Sequence, residues 1–179
     1  MIRRSAAVLI VIDIQGSLFQ VIYDKENLLA NAAKVIKGAK IFNLPVIVTE
    51  QIPEKLGQTI PALSQELNGI ETISKESFSC WGESKFQEQL ESLDRRKAII
   101  IGIESHVCVY QTAIDLIDNG YSVHVVADAV SSRTKENRDI GLNAMKSAGA
   151  HLTSTEMVLF ELLHSAGDAK FKEIYKIVK

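Results

Sequence analysis

The chain has 179 residues, 46% of them hydrophobic and 23% charged, with a formal net charge of −2. That length suits one domain with a proper core, and the charge excludes an electrostatic case for nucleic acid or an anionic membrane surface. Its 2 cysteines, Cys80 and Cys108, cannot build a disulfide framework, and their spacing matches no zinc motif.

The expectation is therefore a single domain over residues 1–179 in a reducing, cytoplasmic setting. At the N-terminus, Met1-Ile2-Arg3-Arg4 runs into a short apolar stretch with no small-residue cleavage site after it, and Asp13 interrupts that stretch too early for a membrane helix. Ala6 to Ile12 is apolar on both faces, which predicts a central parallel strand. A helix is expected from Glu26 to Phe42, where Leu28, Leu29, Ala32, Val35, Ile36 and Ala39 share one face. Pro45 to Thr49 is the second expected strand, and Glu50 to Gly69 reads as an irregular excursion with at most short helices. Glu71 to Ser74 is a short third strand ending at Lys75, followed by a loop with Phe78, Cys80 and Trp81 and an amphipathic helix from Glu83 to Leu93. The uncharged, β-branched run Ala98-Ile99-Ile100-Ile101 is the fourth strand. Behind it, Val109, Ala113, Leu116 and Ile117 recur at helical spacing up to Asn119-Gly120. Tyr121 to Val126 is the fifth strand, ending at Asp128. A helix from Lys135 to Ala148, a sixth strand from Ala150 to Ser154, and helices at Glu156–Leu163 and Lys170–Val178 complete the chain.

Strands alternating with helices imply an α/β fold, a parallel sheet between two helical layers (a three-layer αβα, Rossmann-like architecture). Ligands bind such sheets outside the carboxyl ends of the strands. Asp13, Lys75 and Cys108 end strands one, three and four. Cys108 stands where a strand has ended and a helix begins, so free amide N–H groups and the helix dipole, together with Lys75, are expected to lower its pKa. Asp13 would take the thiol proton and return it to a leaving group, while Lys75 would hold Asp13 ionised. Leu18, Phe78 and Trp81 are candidates for an apolar pocket wall, with Gln51 and His106 near the entrance.

Val11-Ile12-Asp13-Ile14-Gln15, Ser74-Lys75 and Gly102-Ile103-Glu104-Ser105-His106-Val107-Cys108-Val109 resemble the three signature stretches of the isochorismatase-like cysteine hydrolases. Ala127-Asp128-Ala129-Val130-Ser131-Ser132-Arg133 extends the resemblance, and Thr49-Glu50-Gln51-Ile52-Pro53 with Leu56-Gly57 is similar to the isochorismatase domain-containing branch. The resemblance implies a six-stranded sheet in the order 3-2-1-4-5-6, with Asp13, Lys75 and Cys108 as base, lysine and nucleophile. It also implies a cis peptide at Ile103–Glu104 that turns the Glu104 N–H toward the pocket, to form an oxyanion hole with the Cys108 N–H. A homo-oligomer, dimer or higher, is expected on the same ground.

Nicotinamidases of this superfamily hold a metal through an aspartate and histidines after the second strand. This chain has Glu50, Gln51 and Glu54 there and no histidine before His106, so the expectation is no metal and no cofactor. The leading reading is an amidohydrolase that cleaves a small amide or ureide through an acyl-cysteine. The alternatives are vinyl-ether hydrolysis, which has no use for a thiol; a non-catalytic oligomer of the same fold; and a redox-sensing thiol with Cys80 as its resolving partner.

Overall fold

Six residues without one polar side chain, Ala7–Ile12, form β1, and every one of them is buried. A strand sealed on both faces must lie inside a parallel sheet covered by helices on each side. The computed structural model, which describes residues 1–179, has this arrangement. β1 pairs in parallel with β2 (Val46–Gln51) and with β4 (Lys97–Ile103). β3 (Thr72–Lys75) adds to β2, while β5 (Ser122–Ser131) and β6 (His151–Thr153) extend the other side. The order is 3-2-1-4-5-6, with every pairing parallel.

Alternation along the strands sends successive side chains into two separate cores. Leu9, Val11, Val48, Ile99 and Ile101 pack with α2 (Lys25–Ile41), α8 (Thr155–Leu163) and α9 (Phe171–Val178). Val8, Ile10, Ile12, Ile47 and Ile73 pack with α5 (Ser84–Ser92), α6 (Cys108–Asp118) and α7 (Lys135–Ser147). The α6 layer matters for function, because Thr49, Gln51 and Lys75 continue its side of β2 and β3 toward the carboxyl end.

Two elements differ from the sequence reading. β5 runs on to Ser131, past the expected stop at Asp128. The carboxylate does not end the strand because Oδ1 accepts from the Thr155 N–H at 2.8 Å and the Thr155 hydroxyl at 3.0 Å, which holds the start of α8. A five-residue helix, α1 (Gly16–Gln20), follows β1, and it is too short for any periodicity to announce it. The irregular excursion holds α3 (Pro53–Leu56) and α4 (Pro61–Ser64). No helix is long and apolar enough to cross a membrane.

β1 and β4 approach so closely that Gly102, at φ +135°, has no room for a side chain: a Cβ there would lie 2.1 Å from the Ile12 carbonyl oxygen.

Candidate active site

Asp13 leaves β1 through a left-handed backbone (φ 52°), a conformation that aspartate tolerates better than most residues. Its N–H donates to the Thr49 carbonyl at 3.2 Å, and its Oδ1 accepts the Thr49 hydroxyl at 2.8 Å. Lys75, at the end of edge strand β3, reaches across β2 to place Nζ 2.8 Å from Asp13 Oδ2, and both side chains are 0% exposed. The ammonium is also within reach of Gln51 Oε1 (2.5 Å), the Ser77 carbonyl (3.1 Å) and the Phe78 carbonyl (3.0 Å). Three protons thus serve three well-aligned acceptors, and the contact to Asp13 is ionic. Oδ2 is left with no aligned hydrogen bond, a buried carboxylate oxygen with a lone pair free.

Cys108, the first residue of α6, faces this pair. Its thiol lies 4.0 Å from Gln51 Oε1 and also contacts the Asp13 carboxylate. The expectation of a lowered thiol pKa is overturned. Burial and the Asp13 charge outweigh Lys75, and the thiol is pushed up to about 12. Burial raises Asp13 as well, against the opposing pull of Lys75, Thr49 and Cys108. Burial works against the charged form of Lys75, but the Asp13 charge prevails and raises it. The resting site is therefore a thiol beside an ion pair rather than a free thiolate.

Between β4 and α6 the Ile103–Glu104 peptide is cis. The loop's amides alternate in their use. Ser105 donates to the Ser131 carbonyl, and Val107 and Val109 both donate to the Glu104 carbonyl. The N–H groups of Glu104, His106 and Cys108 have no acceptor in the protein. The Glu104 carboxylate turns away and accepts from the Arg133 N–H (3.0 Å) and its guanidinium Nε (3.1 Å).

The fold brings Asp13, Lys75, Cys108 and Gln51 together. His106 sits at the rim, hydrogen-bonded through Nδ1 to the Ser132 hydroxyl at 2.9 Å. The expected apolar wall is not assembled from the three residues named for it. Leu18 packs on the opposite, α2-side core, and Phe78 lends Lys75 its carbonyl while the residue is 55% exposed. Trp81 lies edge-on against Tyr121, which precedes β5 at the amino end of the sheet. Sequence reasoning missed Thr49 and assigned Cys80 only a redox role. Strand alternation alone would have put Thr49 on the Ile47 side of β2, but nothing local places Cys80. The larger cavities lie elsewhere, one of about 670 Å³ between Met1–Ser5 and Glu161–Asp168 and one of about 420 Å³ beside Glu50 and Thr72, and neither is lined by a cysteine.

The residues at and just after the end of β2 do not fit a metal of the nicotinamidase kind. Glu50 Oε1 accepts from the Thr59 N–H (2.5 Å) and hydroxyl (2.7 Å). Gln51 is engaged by Lys75 and by the Glu76 carbonyl (2.7 Å), and Glu54 is exposed on α3. No imidazole is among these donors.

A family model described as the isochorismatase domain matches residues 7–157. The chain belongs to the isochorismatase family. Isochorismatase domain-containing protein 2 of Danio rerio is 40% identical over 178 residues, covering 99% of this chain and 89% of its own length. The secreted isochorismatase effector Isc1 of Phytophthora sojae is 36% identical, covering 97% and 85%. Among solved structures, one described as the MAR1 ribonuclease of Caenorhabditis elegans superposes with a TM-score of 0.94 at 35% identity, covering 99% of this chain and 91% of that one.

Proposed function

We propose that this isochorismatase-family chain is a metal-independent cysteine amidohydrolase acting on a small amide or ureide. The observation that carries the reading is the fully buried Asp13–Lys75 contact of 2.8 Å beside the Cys108 thiol. A pair of opposite charges removed from water costs free energy to maintain, and chemistry on the adjacent thiol gives it a use.

A thiol pushed up to about 12 needs its proton taken as it reacts. Asp13 Oδ2, held ionised by Lys75, takes that proton while Sγ adds to the substrate carbonyl carbon. The charge developing on the carbonyl oxygen is met by the Glu104 and Cys108 N–H groups, each such donor being worth about 3 kcal/mol in the transition state. Asp13 then gives the proton to the departing nitrogen, leaving an acyl-cysteine. Water, deprotonated by the same carboxylate, adds to the thioester carbonyl and releases the acid and the free thiol. Backbone donors do the polarising that a metal does in the nicotinamidases, so no cofactor takes part.

Vinyl-ether hydrolysis protonates a carbon and leaves Cys108 without a role. A ribonuclease activity, suggested by the description of the C. elegans relative, draws no support from a chain of net charge −2. Exposed apolar side chains at Val21, Tyr23, Ile140 and Met157 favour self-association, and we place the protein in the cytosol, where its two thiols stay reduced.

The test is a turnover screen of small amides, ureides and carbamoyl compounds, with nicotinamide and RNA as controls. Cys108→Ala and Asp13→Asn should each lose at least about 10³-fold on any substrate found, and EDTA should change nothing. Full turnover in Asp13→Asn, or loss to EDTA restored by metal, would overturn the assignment.

A further inference from the structure

The site contains a second thiol that the chemistry above does not use. Cys80 is 0% exposed, and its Sγ lies 3.6 Å from Thr49 Oγ1. Its N–H donates to the Thr112 hydroxyl at 2.9 Å, which seats it one turn along α6 from Cys108, on the same side of the sheet. Thr49, also 0% exposed, stands between Cys80 and Asp13.

Proton counting fixes the direction of this chain of contacts. An ionised Asp13 has no proton to give, so in the 2.8 Å contact the Thr49 hydroxyl must donate to Oδ1. That commits the hydroxyl's only hydrogen. At the 3.6 Å contact Thr49 can then only accept, and Cys80 must donate its S–H. Burial first, and the Asp13 charge second, push the Cys80 thiol up to about 11, which keeps the proton in place for that donation. Two thiols in one buried site thus have unlike positions: Cys108 faces the carboxylate directly, whereas Cys80 reaches it only through a hydroxyl.

We propose that Cys80 and Thr49 form a one-way hydrogen-bond relay, Cys80 S–H to Thr49 O–H to Asp13 Oδ1, that positions the carboxylate and favours its ionised form, so that Oδ2 stays open to the Cys108 proton. Both are positioning residues, since neither reaches the carbonyl under attack. The inference rests on the reading of Asp13 as the base. It assigns Cys80 a function in the reduced protein, in place of the resolving role expected of it in a redox switch. It also explains why the bond to Thr49 belongs on Oδ1. Lys75 already stands 2.8 Å from Oδ2, so a further donor there would crowd the side that the Cys108 proton must approach, whereas a donor on Oδ1 withdraws charge from the carboxylate without blocking it.

A readout that needs no known substrate is the rate at which iodoacetamide captures Cys108 across pH, followed by mass spectrometry of the modified peptide. In the wild type the rate should rise along an acid limb that marks ionisation of Asp13. Thr49→Val keeps the shape and removes the donor, so its limb should move up by about one pH unit, the cost of one hydrogen bond to a charged group. Thr49→Ser restores the hydroxyl and should restore the limb. Cys80→Ala should shift it in the same direction by less, and Cys80→Ser should not shift it. A lost side-chain fit would slow capture at every pH without moving the limb, so the position of the limb separates positioning from packing. If Asp13→Asn captures label like the wild type, the base assignment fails and takes the relay with it. If Asp13→Asn is slow and limbless but Thr49→Val and Cys80→Ala keep the wild-type limb, the relay alone is wrong.

Discussion

Two pairs of ionisable residues lie in this sheet, one buried throughout and one with His151 exposed at the edge, and the partners within each pair act on charge in opposite ways. At the carboxyl ends of β1 and β3, Asp13 and Lys75 stand 2.8 Å apart, so the pull of the Lys75 charge opposes the rise that burial gives Asp13, and Thr49, Gln51 and two carbonyls supply further polar partners. At the edge formed by β5 and β6, His124 and His151 face each other in register with ring centroids 4.9 Å apart. His124 is 7% exposed, and burial, then His151 and Lys97, push its pKa down to about 4 against the weaker pull of Glu161. A buried charge survives where an opposite charge is supplied, and where the neighbours are of like sign the proton leaves instead.

The largest effect should come from unpairing the first group. Lys75→Met strands the Asp13 carboxylate in a dry site and should cost about 3–5 kcal/mol of stability by urea unfolding, most of it recovered in Asp13→Asn/Lys75→Met. Additive losses in the double variant would mean that the pair is not coupled in the way the 2.8 Å contact implies.

The histidine pair should give a smaller effect with a defined pH window. In the unfolded chain His124 takes a proton near pH 6.5, in the folded chain only near pH 4. Between those values the unfolded state binds more protons, so stability is full above pH 6.5 and declines as the pH falls toward 4. The loss should be about 3 kcal/mol, and His124→Phe, which cannot titrate, should show less of it in denaturant unfolding at the two pH values. An equal loss in the variant would place the acid sensitivity elsewhere.

The smallest effect is expected at the rim. The Arg133 side chain is 58% exposed where it meets Glu104, so Arg133→Ala should change stability by less than about 1 kcal/mol in the same unfolding assay. A larger loss would show that this pair supports the loop between β4 and α6 more firmly than its exposure suggests.

The difference between the two regions also explains what could be read in advance. β1 and β4 were legible because a strand buried on both faces carries its signal in seven or fewer consecutive residues. Asp13 and Lys75 were legible as charges closing an apolar run, and Cys108 as a thiol where the helix behind β4 begins. Thr49 and Cys80 were not, because their meaning lies in contacts 36 and 31 residues away along the chain. The Cys108 pKa was misjudged for a related reason. A helix N-terminus can be read from local pattern, but burial and the nearness of Asp13 depend on how distant segments pack, and they dominate. Asp128 misled in the opposite sense: its charge looked like a strand terminator until Thr155, 27 residues on, turned out to receive it.

Gly102 sets a dimension of the molecule by what it lacks. The residue pairs with Ile12 in the ladder that joins β1 to β4. Asp13 follows the one partner immediately, and Cys108 follows the other by six residues. With the Ile12 carbonyl oxygen 2.1 Å from where a methyl group would stand, the two strands meet at a gauge that only a hydrogen atom can fill. The strand spacing from which both the Asp13 and the Cys108 segments depart is thus set upstream of them, at a ladder rung that includes neither. A single added carbon at that rung would push β1 and β4 apart and shift the Asp13 segment relative to the Cys108 segment without altering either side chain.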